Sequence, residues 1–375
     1  MAVSSLEGDD SFFLGAEPPN PHPKVSMTVM RVLVAGAGAL GTCYAALLAA
    51  AGAEVSVLAR PARHDALRRG LRVSGLLEAE AQVAVVSRGQ VAEGGAGAQD
   101  YVIVATKTQD TASILEALEG VQTGAVLSLQ NGMAKDELLA GAFGAQRVLG
   151  AACAVGATLL EPGHARLTLN QGTWVGERFR PDSTPDGAPS GVPDAGASER
   201  VVRLVAVLRG AGFPSWSVPD IRAVEWYKLC ALLPGAMVTT LSRRSYAEMA
   251  LHPHLARLFV QVMRETFGVM QAQGMAVQDP PGSLWRFAEW LPAPDEVSLE
   301  GLRDIGERQR AAGERMLPSM LQDVLAGRLT EVEHLAGEVL RQAAALDLRL
   351  PATETCYRLI RGLEDAFPPP TGEKR

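Results

Sequence analysis

The pattern of apolar and polar positions is most informative over residues 31–60. Residues 32–35 form a short continuous apolar run, which is typical of a buried strand in a parallel sheet. A glycine-rich turn follows at 36–41, and the alanine- and leucine-rich stretch after it predicts a helix that Gly52 is suited to end. Alternating apolar positions at 54–58 then predict a second strand. The predicted order is strand, glycine turn, helix, strand.

The same alternation continues to about residue 150. Apolar runs predict further strands at 82–86, 101–105, 125–129 and 147–153, with helices between them at 110–118 and 135–142. Such alternation predicts a parallel sheet with helices on both faces. Short strands at 167–169 and 173–175 are expected to extend or cover the edge of this sheet.

The pattern changes to helices after Glu199. Helical spacing of apolar residues predicts helices, with no strand between them, at 201–211, 220–233, 253–273, 299–317, 330–346 and 353–363. The sequence therefore predicts an α/β domain over 30–199 and a mostly helical domain over 200–364. Residues 1–29 and 365–375 are expected to be disordered, and the Pro-, Gly- and Ser-rich segment 178–198 is expected to be a flexible loop.

Composition narrows the class of protein. The chain has 375 residues, of which 47% are hydrophobic and 21% charged, and its net charge of −7 gives no reason to expect a nucleic-acid partner. The uncharged stretch 40–53 is shorter than the roughly 18 residues that a membrane span requires. The N-terminus lacks the basic and apolar regions of a signal peptide, so we expect a cytoplasmic protein without a membrane partner.

The cysteines and histidines give no indication of a metal site. Cys43, Cys153, Cys230 and Cys356 are far apart and form no CxxC pair, so we expect four reduced thiols that serve as small apolar residues. The segment 252–254, His-Pro-His, has no acid or cysteine at ligand spacing and is expected to be a loop before a helix.

The glycine turn has the spacing of a dinucleotide-binding site. Gly36 permits a sharp turn, Gly38 lets the backbone approach a pyrophosphate, and Gly41 lets the helix pack closely on the strand. The N–H groups of the first helical turn then face the phosphates. The predicted pyrophosphate site comprises Gly36, Ala37, Gly38, Ala39, Leu40 and Gly41.

The end of the second strand distinguishes two coenzymes. An acid there would bind the ribose hydroxyls of NAD, whereas an arginine would pair with the 2′-phosphate of NADP. The chain has Arg60 at this point, and Glu54, the acid in this vicinity, lies at the other end of the strand. We therefore expect NADP, with Arg60 as a ligand.

Two further polar residues follow predicted strands. Lys107 comes after the strand at 101–105, and Asn131 comes after the strand at 125–129. Because the carboxyl ends of parallel strands share one edge of a sheet, we expect both residues at the same crevice as the glycine turn. A solvated cation at Lys107 and a plain turn at Asn131 are the alternatives that the sequence leaves open.

Four segments occur in an order that resembles the ketopantoate reductase (2-dehydropantoate 2-reductase) family. They are GAGALG at 36–41, LQNGM at 129–133, AVEWYKL at 223–229 and SMLQDVLAGRLTEVEHLAG at 319–337, the last being the most specific. The resemblance spans about residues 31–363. It implies an α/β protein with a Rossmann-type N-terminal domain that binds NADPH, followed by a mostly α-helical domain like the C-terminal domain of 6-phosphogluconate dehydrogenases. The implied reaction reduces a 2-oxo acid to a 2-hydroxy acid, specifically ketopantoate to pantoate in pantothenate and coenzyme A biosynthesis.

The resemblance also implies roles for individual residues. Lys228 matches the general acid that protonates the ketone oxygen, and Glu331 matches the carboxylate that holds the substrate or orients the lysine beside the cofactor. Ser319 matches the residue that binds the substrate carboxylate. Asn131 matches an asparagine at the crevice of cofactor and substrate, and Lys107 a lysine near the cofactor. The residues alone also fit ordinary structural roles. These roles are a solvated cation for Lys228, a charge at a helix start for Glu331 and a helix cap for Ser319.

One departure from the family bears on the substrate. Members usually have asparagines four and eight residues after the catalytic lysine, and this chain has Leu232 and Ala236 there. The pocket is therefore expected to be more apolar, so that ketopantoate is reduced less well or a 2-oxo acid with an apolar side chain is preferred. An imine reductase and a non-catalytic NADP-binding regulator are the alternative functions. The sequence leaves a monomer and a homodimer open.

Overall fold

The computed structural model describes residues 29–179, 197–313 and 316–367. Its strands are β1 Arg31–Ala35, β2 Glu54–Leu58, β3 Leu71–Gly75, β4 Ala79–Ala81, β5 Ala84–Val86, β6 Gln99–Val104, β7 Thr123–Ser128, β8 Leu149–Glu161, β9 His164–Glu177 and β10 Ser215–Ser217. The expected disordered tails and the expected loop at 178–198 lie mostly outside the described residues and stay predictions.

The α-helices lie between and after these strands. They are α1 Ala39–Ala50, α2 His64–Arg68, α3 Arg88–Ala92, α4 Thr111–Ala117, α5 Lys135–Phe143, α6 Glu199–Gly210, α7 Ile221–Ser242, α8 Tyr246–Ala250, α9 Pro253–Ala272, α10 Phe287–Trp290, α11 Asp295–Ala311, α12 Ser319–Leu325, α13 Glu338–Ala345 and α14 Pro351–Glu364. A π-helical turn at Glu333–Gly337 precedes α13.

The chain divides into two compact units. The first, which we call the α/β unit, comprises the described residues up to Glu225 together with Pro280–Leu284. The second, the helical unit, comprises Trp226–Asp279 and the described residues from Trp285 onwards. Helix α7 begins in the α/β unit, and its residues from Trp226 belong to the helical unit.

The parallel sheet of the α/β unit has the strand order β5-β2-β1-β6-β7, and all of its neighbours pair in parallel. Val32 and Val34 on one face pack with residues of α1. Leu33 on the opposite face packs with Ile114 of α4 and Leu139 of α5. This arrangement confirms the predicted parallel sheet with helices on both faces.

Helix α1 is enclosed on all sides. Its residues from Gly41 to Leu48 are buried, as expected for a helix that is apolar around its whole circumference. The Tyr44 ring stacks on Phe213 with centroids 4.2 Å apart, and its hydroxyl lies 2.6 Å from Thr173 Oγ1. Burial of this tyrosine therefore leaves its polar atom hydrogen-bonded.

A second sheet corrects part of the strand prediction. It has the order β10-β9-β3-β4, and β8 pairs with β9 in an antiparallel ribbon that turns at Gly163 (φ 90°). The sequence predicts that residues 147–153 complete the parallel sheet. Val148 does form a parallel bridge to Val126 of β7, but β8, which begins at Leu149, pairs with β9 in the second sheet. The expected short strands at 167–169 and 173–175 are parts of β9. The segment LGAACAVGA in β8 consists mostly of small residues, so its pattern does not indicate which sheet it joins.

The α/β unit extends beyond the boundary expected near residue 200. The apolar face of α6, including Leu204 and Leu208, packs into the core of this unit, so the first helix assigned to the helical domain lies in the α/β unit. Strand β10 pairs in parallel with β9 and contradicts the expectation that no strand follows residue 199. Its three residues are too few to show an alternating pattern.

The helical unit is built around α9, whose buried residues include Phe259, Met263 and Phe267. Phe287 lies in edge-to-face contact with Phe267 and stacks on Trp285, with centroids 4.9 and 5.3 Å away. Two helix predictions differ from the structure here. The helix predicted at 299–317 is α11, which begins and ends earlier, with the separate helix α12 after it. The helix predicted at 330–346 begins as the π-helical turn.

The first prediction concerns the contact between α1 and the glycine turn. A Cβ atom on Gly41 would lie 1.9 Å from the carbonyl oxygen of Gly36, which is backbone and cannot rotate away. We expect Gly41→Ala to lower the free energy of unfolding by about 1–3 kcal/mol, measured by urea denaturation.

Gly141 of α5 provides the matched control. A Cβ atom there would meet no heavy atom within 4 Å, and alanine has the higher helix propensity. Gly141→Ala should therefore leave the free energy of unfolding unchanged or raise it by up to about 1 kcal/mol. Equal destabilisation by the two substitutions would contradict the role given to Gly41.

Candidate active site

Four of the predicted nucleotide-binding segments lie at one edge of the parallel sheet. The glycine turn follows β1, Arg60 follows β2, Lys107 follows β6 and Asn131 follows β7, and these four strands are neighbours in the sheet. The side chains of Arg60 and Lys107 are exposed, and Asn131 is partly buried. The topology thus gathers these residues at the edge where open α/β sheets bind ligands.

The glycine turn combines a strained position with an open one. Gly36 has φ 113°, donates its N–H to Leu58 O at 3.0 Å, and leaves only 2.7 Å between a Cβ atom and Thr106 Cγ2. Gly38 precedes α1, and a Cβ atom there would be 3.9 Å from its nearest neighbour. No side chain caps the N-terminus of α1 at Gly38. The first N–H groups of this helix are therefore suited to an anion.

Two arginines lie near the glycine turn. Arg63 donates from Nη1 to the carbonyl oxygen of Ala37, within the turn itself, at 2.8 Å. The side chain of Arg60 is 71% exposed, and its Nη2 lies 3.6 Å from Asp110 Oδ1. The two guanidinium groups give this end of β2 the positive charge that a phosphate ester requires.

Gln130 joins the loops that follow β6 and β7. Its buried amide donates from Nε2 to Thr106 Oγ1 at 3.1 Å and to Lys107 O at 3.0 Å, and its Oε1 accepts from Ser128 Oγ at 3.0 Å. These bonds fix the backbone beside Lys107 and Asn131. Gln130 is a residue that the sequence alone does not single out, since its signal there is its position next to Asn131 in the segment at 129–133.

A buried ionic cluster lies at the start of α5. Lys135 Nζ is 2.7 Å from Asp136 Oδ1 and 2.5 Å from Glu225 Oε1, and all three side chains are at most 4% exposed. Arg178 Nε lies 3.4 Å from the other oxygen of Asp136. Burial and the charge of Asp136 raise the pKa of Glu225 to about 8, against the opposing effect of Lys135. Burial alone would lower the pKa of Lys135, but the two carboxylates raise it.

Lys228 lies on α7 in the helical unit. It is partly buried and directly follows Trp226 and Tyr227, which are both buried. The Tyr227 hydroxyl lies 2.8 Å from Asp279 Oδ1 and 2.7 Å from Trp285 O. This anchors α7 at the residue before the predicted proton donor.

Helix α7 continues without interruption through Pro234. Leu232 and Ala236 therefore lie one and two turns beyond Lys228 on the same face of the helix. Leu232 is partly buried and Ala236 is 4% exposed. The face that carries the lysine is thus apolar at the two positions where the family usually has asparagine.

Two further predicted substrate residues, Ser319 and Glu331, belong to the same unit as Lys228, whereas Asn131 lies in the α/β unit. Ser319 is the exposed first residue of α12, and Glu331 is buried, with 7% of its surface exposed. Asp323 of α12 accepts from Arg328 Nε at 3.0 Å and Nη2 at 2.9 Å. This pair connects the helix of Ser319 to the loop that leads to Glu331.

Comparison with known proteins gives the family. Residues 32–179 match the family model described as ketopantoate reductase PanE/ApbA, and residues 220–364 match the model of its C-terminal domain. A 2-dehydropantoate 2-reductase of Archaeoglobus fulgidus is 32% identical over 341 residues, which cover 91% of this chain and 100% of that protein. This chain belongs to the ketopantoate reductase family. The predicted family and its oxidoreductase class are thereby confirmed.

Solved structures support the fold. A PanE/ApbA family ketopantoate reductase from Ralstonia eutropha JMP134 superposes with a TM-score of 0.69 at 26% identity and covers 90% of this chain and 99% of its own. A ternary structure of D-mandelate dehydrogenase with NADH and anilino(oxo)acetate has a TM-score of 0.72 at 18% identity, with coverages of 90% and 99%, and shows likeness of fold alone. The predicted fold class of this ketopantoate reductase family member is confirmed.

The described residues contain neither a cluster of metal ligands nor a helix that could span a membrane. Within 29–179, 197–313 and 316–367, no three His, Cys, Asp or Glu side chains are grouped to hold a metal ion. Over the same ranges, every helix is too short or too polar to cross a membrane. The four cysteines are free and buried.

The second prediction concerns the pH dependence of stability. Because the pKa of Glu225 is raised in the folded state, the folded chain binds a proton between about pH 4.5 and 8 that the unfolded chain has lost. The free energy of unfolding should therefore fall as pH rises through this range, with a slope of at most about 1.4 kcal/mol per pH unit. Glu225→Gln should flatten the slope in urea titrations at several pH values.

Glu116 provides a control for this experiment. It is an exposed glutamate whose pKa is lowered by its hydrogen bond to Arg88, so it is ionised in both the folded and the unfolded state over the upper part of this range, above about pH 6. Glu116→Gln should show the same change of unfolding free energy with pH as the native protein. An unchanged slope in Glu225→Gln would contradict the assignment of the proton to Glu225.

Proposed function

We propose that this chain is an NADPH-dependent reductase that converts a 2-oxo acid to a 2-hydroxy acid. The observation that carries the proposal is Gly38 at the uncapped start of α1, where backbone N–H groups are accessible to a pyrophosphate. The arrangement of Arg60, Lys107 and Asn131 along the same sheet edge supports it. The family of the chain supports a reaction that reduces a carbonyl group.

The proposed coenzyme is NADPH. The residues present fit it, because Arg63 is hydrogen-bonded to the glycine turn and Arg60 follows β2, where the 2′-phosphate is recognised in such folds. NADPH, when bound, supplies the hydride. NADH is the alternative coenzyme, since the D-mandelate dehydrogenase of similar fold was solved with it.

In this proposal Lys228 donates a proton to the ketone oxygen. Reduction of a ketone places negative charge on its oxygen, and a nearby ammonium stabilises that charge and supplies the proton. Glu331 holds the substrate or orients Lys228, and it contributes to the cofactor site. Ser319 binds the substrate carboxylate, and Asn131 positions the substrate beside the nicotinamide.

The proposed substrate is ketopantoate, reduced to pantoate in pantothenate and coenzyme A biosynthesis. The name of the Archaeoglobus fulgidus relative supports this assignment. A 2-oxo acid with an apolar side chain is the second candidate, because Leu232 and Ala236 make the Lys228 face of α7 apolar. The D-mandelate dehydrogenase of similar fold was solved with anilino(oxo)acetate. Aromatic 2-oxo acids should therefore be included among the substrates tested.

The third prediction tests the function directly. Purified protein should oxidise NADPH, followed by absorbance, with ketopantoate or an apolar acid such as benzoylformate, and more slowly with NADH. Lys228→Ala should lower kcat by about 10²–10⁴-fold, because it removes general acid catalysis. NADPH affinity and the free energy of unfolding should stay close to those of the native protein.

The same assay separates the alternatives. Turnover that requires ammonia or an amine would favour an imine reductase, and NADPH binding without turnover in either form would favour a regulator. If no 2-oxo acid supports NADPH oxidation, the proposal is contradicted. If benzoylformate exceeds ketopantoate in kcat/KM, the apolar substrate is correct and the proposed mechanism stands.

A further inference from the structure

A carboxylate at the end of α14 holds the segment that carries Glu331. Glu364 is 7% exposed, and its Oε1 accepts hydrogen bonds from the Thr330 backbone N–H at 2.7 Å and from the Thr330 hydroxyl at 2.6 Å. Bonds to a charged acceptor in a buried setting are among the strong ones in proteins. The residue before Glu331 is therefore fixed to α14.

The same chain of bonds continues past Glu331. Thr330 Oγ1 accepts a hydrogen bond from the backbone N–H of Val332 at 3.1 Å. This bond joins the residue before Glu331 to the residue after it. The carbonyl oxygen of Glu331 accepts the N–H groups of His334 and Leu335, both at 3.0 Å, where the π-helical turn begins. The Glu331 backbone is thus held on its N-terminal and C-terminal sides.

Further side-chain contacts hold α14 against the segment that contains Glu331. Arg361 Nε lies 3.5 Å from Glu364 Oε2, and its Nη1 lies 3.3 Å from Glu333 Oε2. The hydroxyl of Tyr357 also donates to Glu333. Helix α14 therefore contacts this segment at Thr330 and at Glu333. The contact at Thr330, made by Glu364, is the buried one.

We propose that Glu364 is a positioning residue for Glu331, acting through Thr330 to fix where the Glu331 carboxylate is presented. The inference rests on the proposed function, in which Glu331 acts at the substrate. Misplacement of such a group by about 1 Å can lower a rate by about 10²-fold. Loss of the Glu364 acceptor also leaves two buried donors of Thr330 unpaired, so the segment would shift to satisfy them.

The chain contains a matched control at the opposite end of α14. Glu265 accepts the N–H groups of Ala352 and Thr353 at 2.9 and 2.8 Å and the Thr353 hydroxyl at 2.7 Å. It is a glutamate that binds backbone and threonine donors in the same manner as Glu364. It has no bond to the Thr330–Val332 segment among the contacts of the described residues.

The fourth prediction compares these two glutamates in the NADPH oxidation assay. Glu364→Ala should lower kcat/KM by about 10- to 100-fold. Glu364→Gln should restore most of it, because its amide oxygen still accepts from Thr330. Glu265→Ala should lower the free energy of unfolding while leaving kcat/KM of the folded protein unchanged. If Glu364→Ala does not fold, Thr330→Val removes the hydroxyl bonds to Glu364 and to the Val332 N–H while keeping the backbone bond to Glu364, and it should lower kcat/KM in the same direction.

A double-mutant cycle with Glu331→Ala separates this inference from the proposed function. If Glu364 acts through Glu331, adding Glu364→Ala to Glu331→Ala should lower kcat/KM by less than twofold. Full additivity, or activity of Glu364→Ala equal to that of Glu265→Ala, would overturn the inference. Unchanged kcat/KM in Glu331→Ala itself would instead overturn the role proposed for Glu331, and the inference with it.

Discussion

The close approach of α1 to the first strand is the constraint on which the α/β unit depends. The position of a Cβ atom on Gly41 lies 1.9 Å from the carbonyl oxygen of Gly36, so only glycine permits this contact. The contact sets α1 against the parallel sheet, and the second sheet packs on the helix from its other side. It also brings the start of α1 to the carboxyl edge of the sheet, where the residues predicted to bind the nucleotide lie.

Buried polar side chains fix the segments around that frame. In the α/β unit, the amide of Gln130 ties together the loops after β6 and β7. In the helical unit, carboxylates of Asp323, Glu265 and Glu364 bind backbone or arginine donors at the turns that flank Glu331 and α14. Each of these hydrogen bonds joins groups of one unit, which is how irregular loops can hold functional side chains in defined places.

The features that the sequence predicts well are local ones. The strand, glycine turn and helix over 31–60 are specified by neighbouring residues, and α9 and α14 follow from helical periodicity. The sequence does not show how distant segments meet. Strand β8 is composed of small residues, which carry no signal of its antiparallel partner, and α6 has an apolar face that fits either domain.

The same limit applies to the candidate site. Lys228, Glu331, Ser319 and Asn131 could be named because short motifs resemble a family, and their roles stay predictions. The pairs Lys135 with Glu225 and Thr330 with Glu364 are separated by 90 and 34 residues, so nothing in the local sequence marks them as partners. Their burial, and the raised pKa values of Lys135 and Glu225, arise only when the chain has folded around them.

The most direct test of the nucleotide site at the start of α1 is a calorimetric titration of NADPH into the native protein and into Gly38→Ala. Gly38 has φ −76°, which alanine adopts freely, and a Cβ atom there meets nothing closer than 3.9 Å. We expect NADPH affinity to weaken at least about tenfold, because the new methyl group occupies the path of the pyrophosphate. The free energy of unfolding should fall by no more than about 1 kcal/mol, because alanine is a poorer N-cap than glycine. Equal NADPH affinity in the two proteins would contradict the claim that the start of α1 is the nucleotide site.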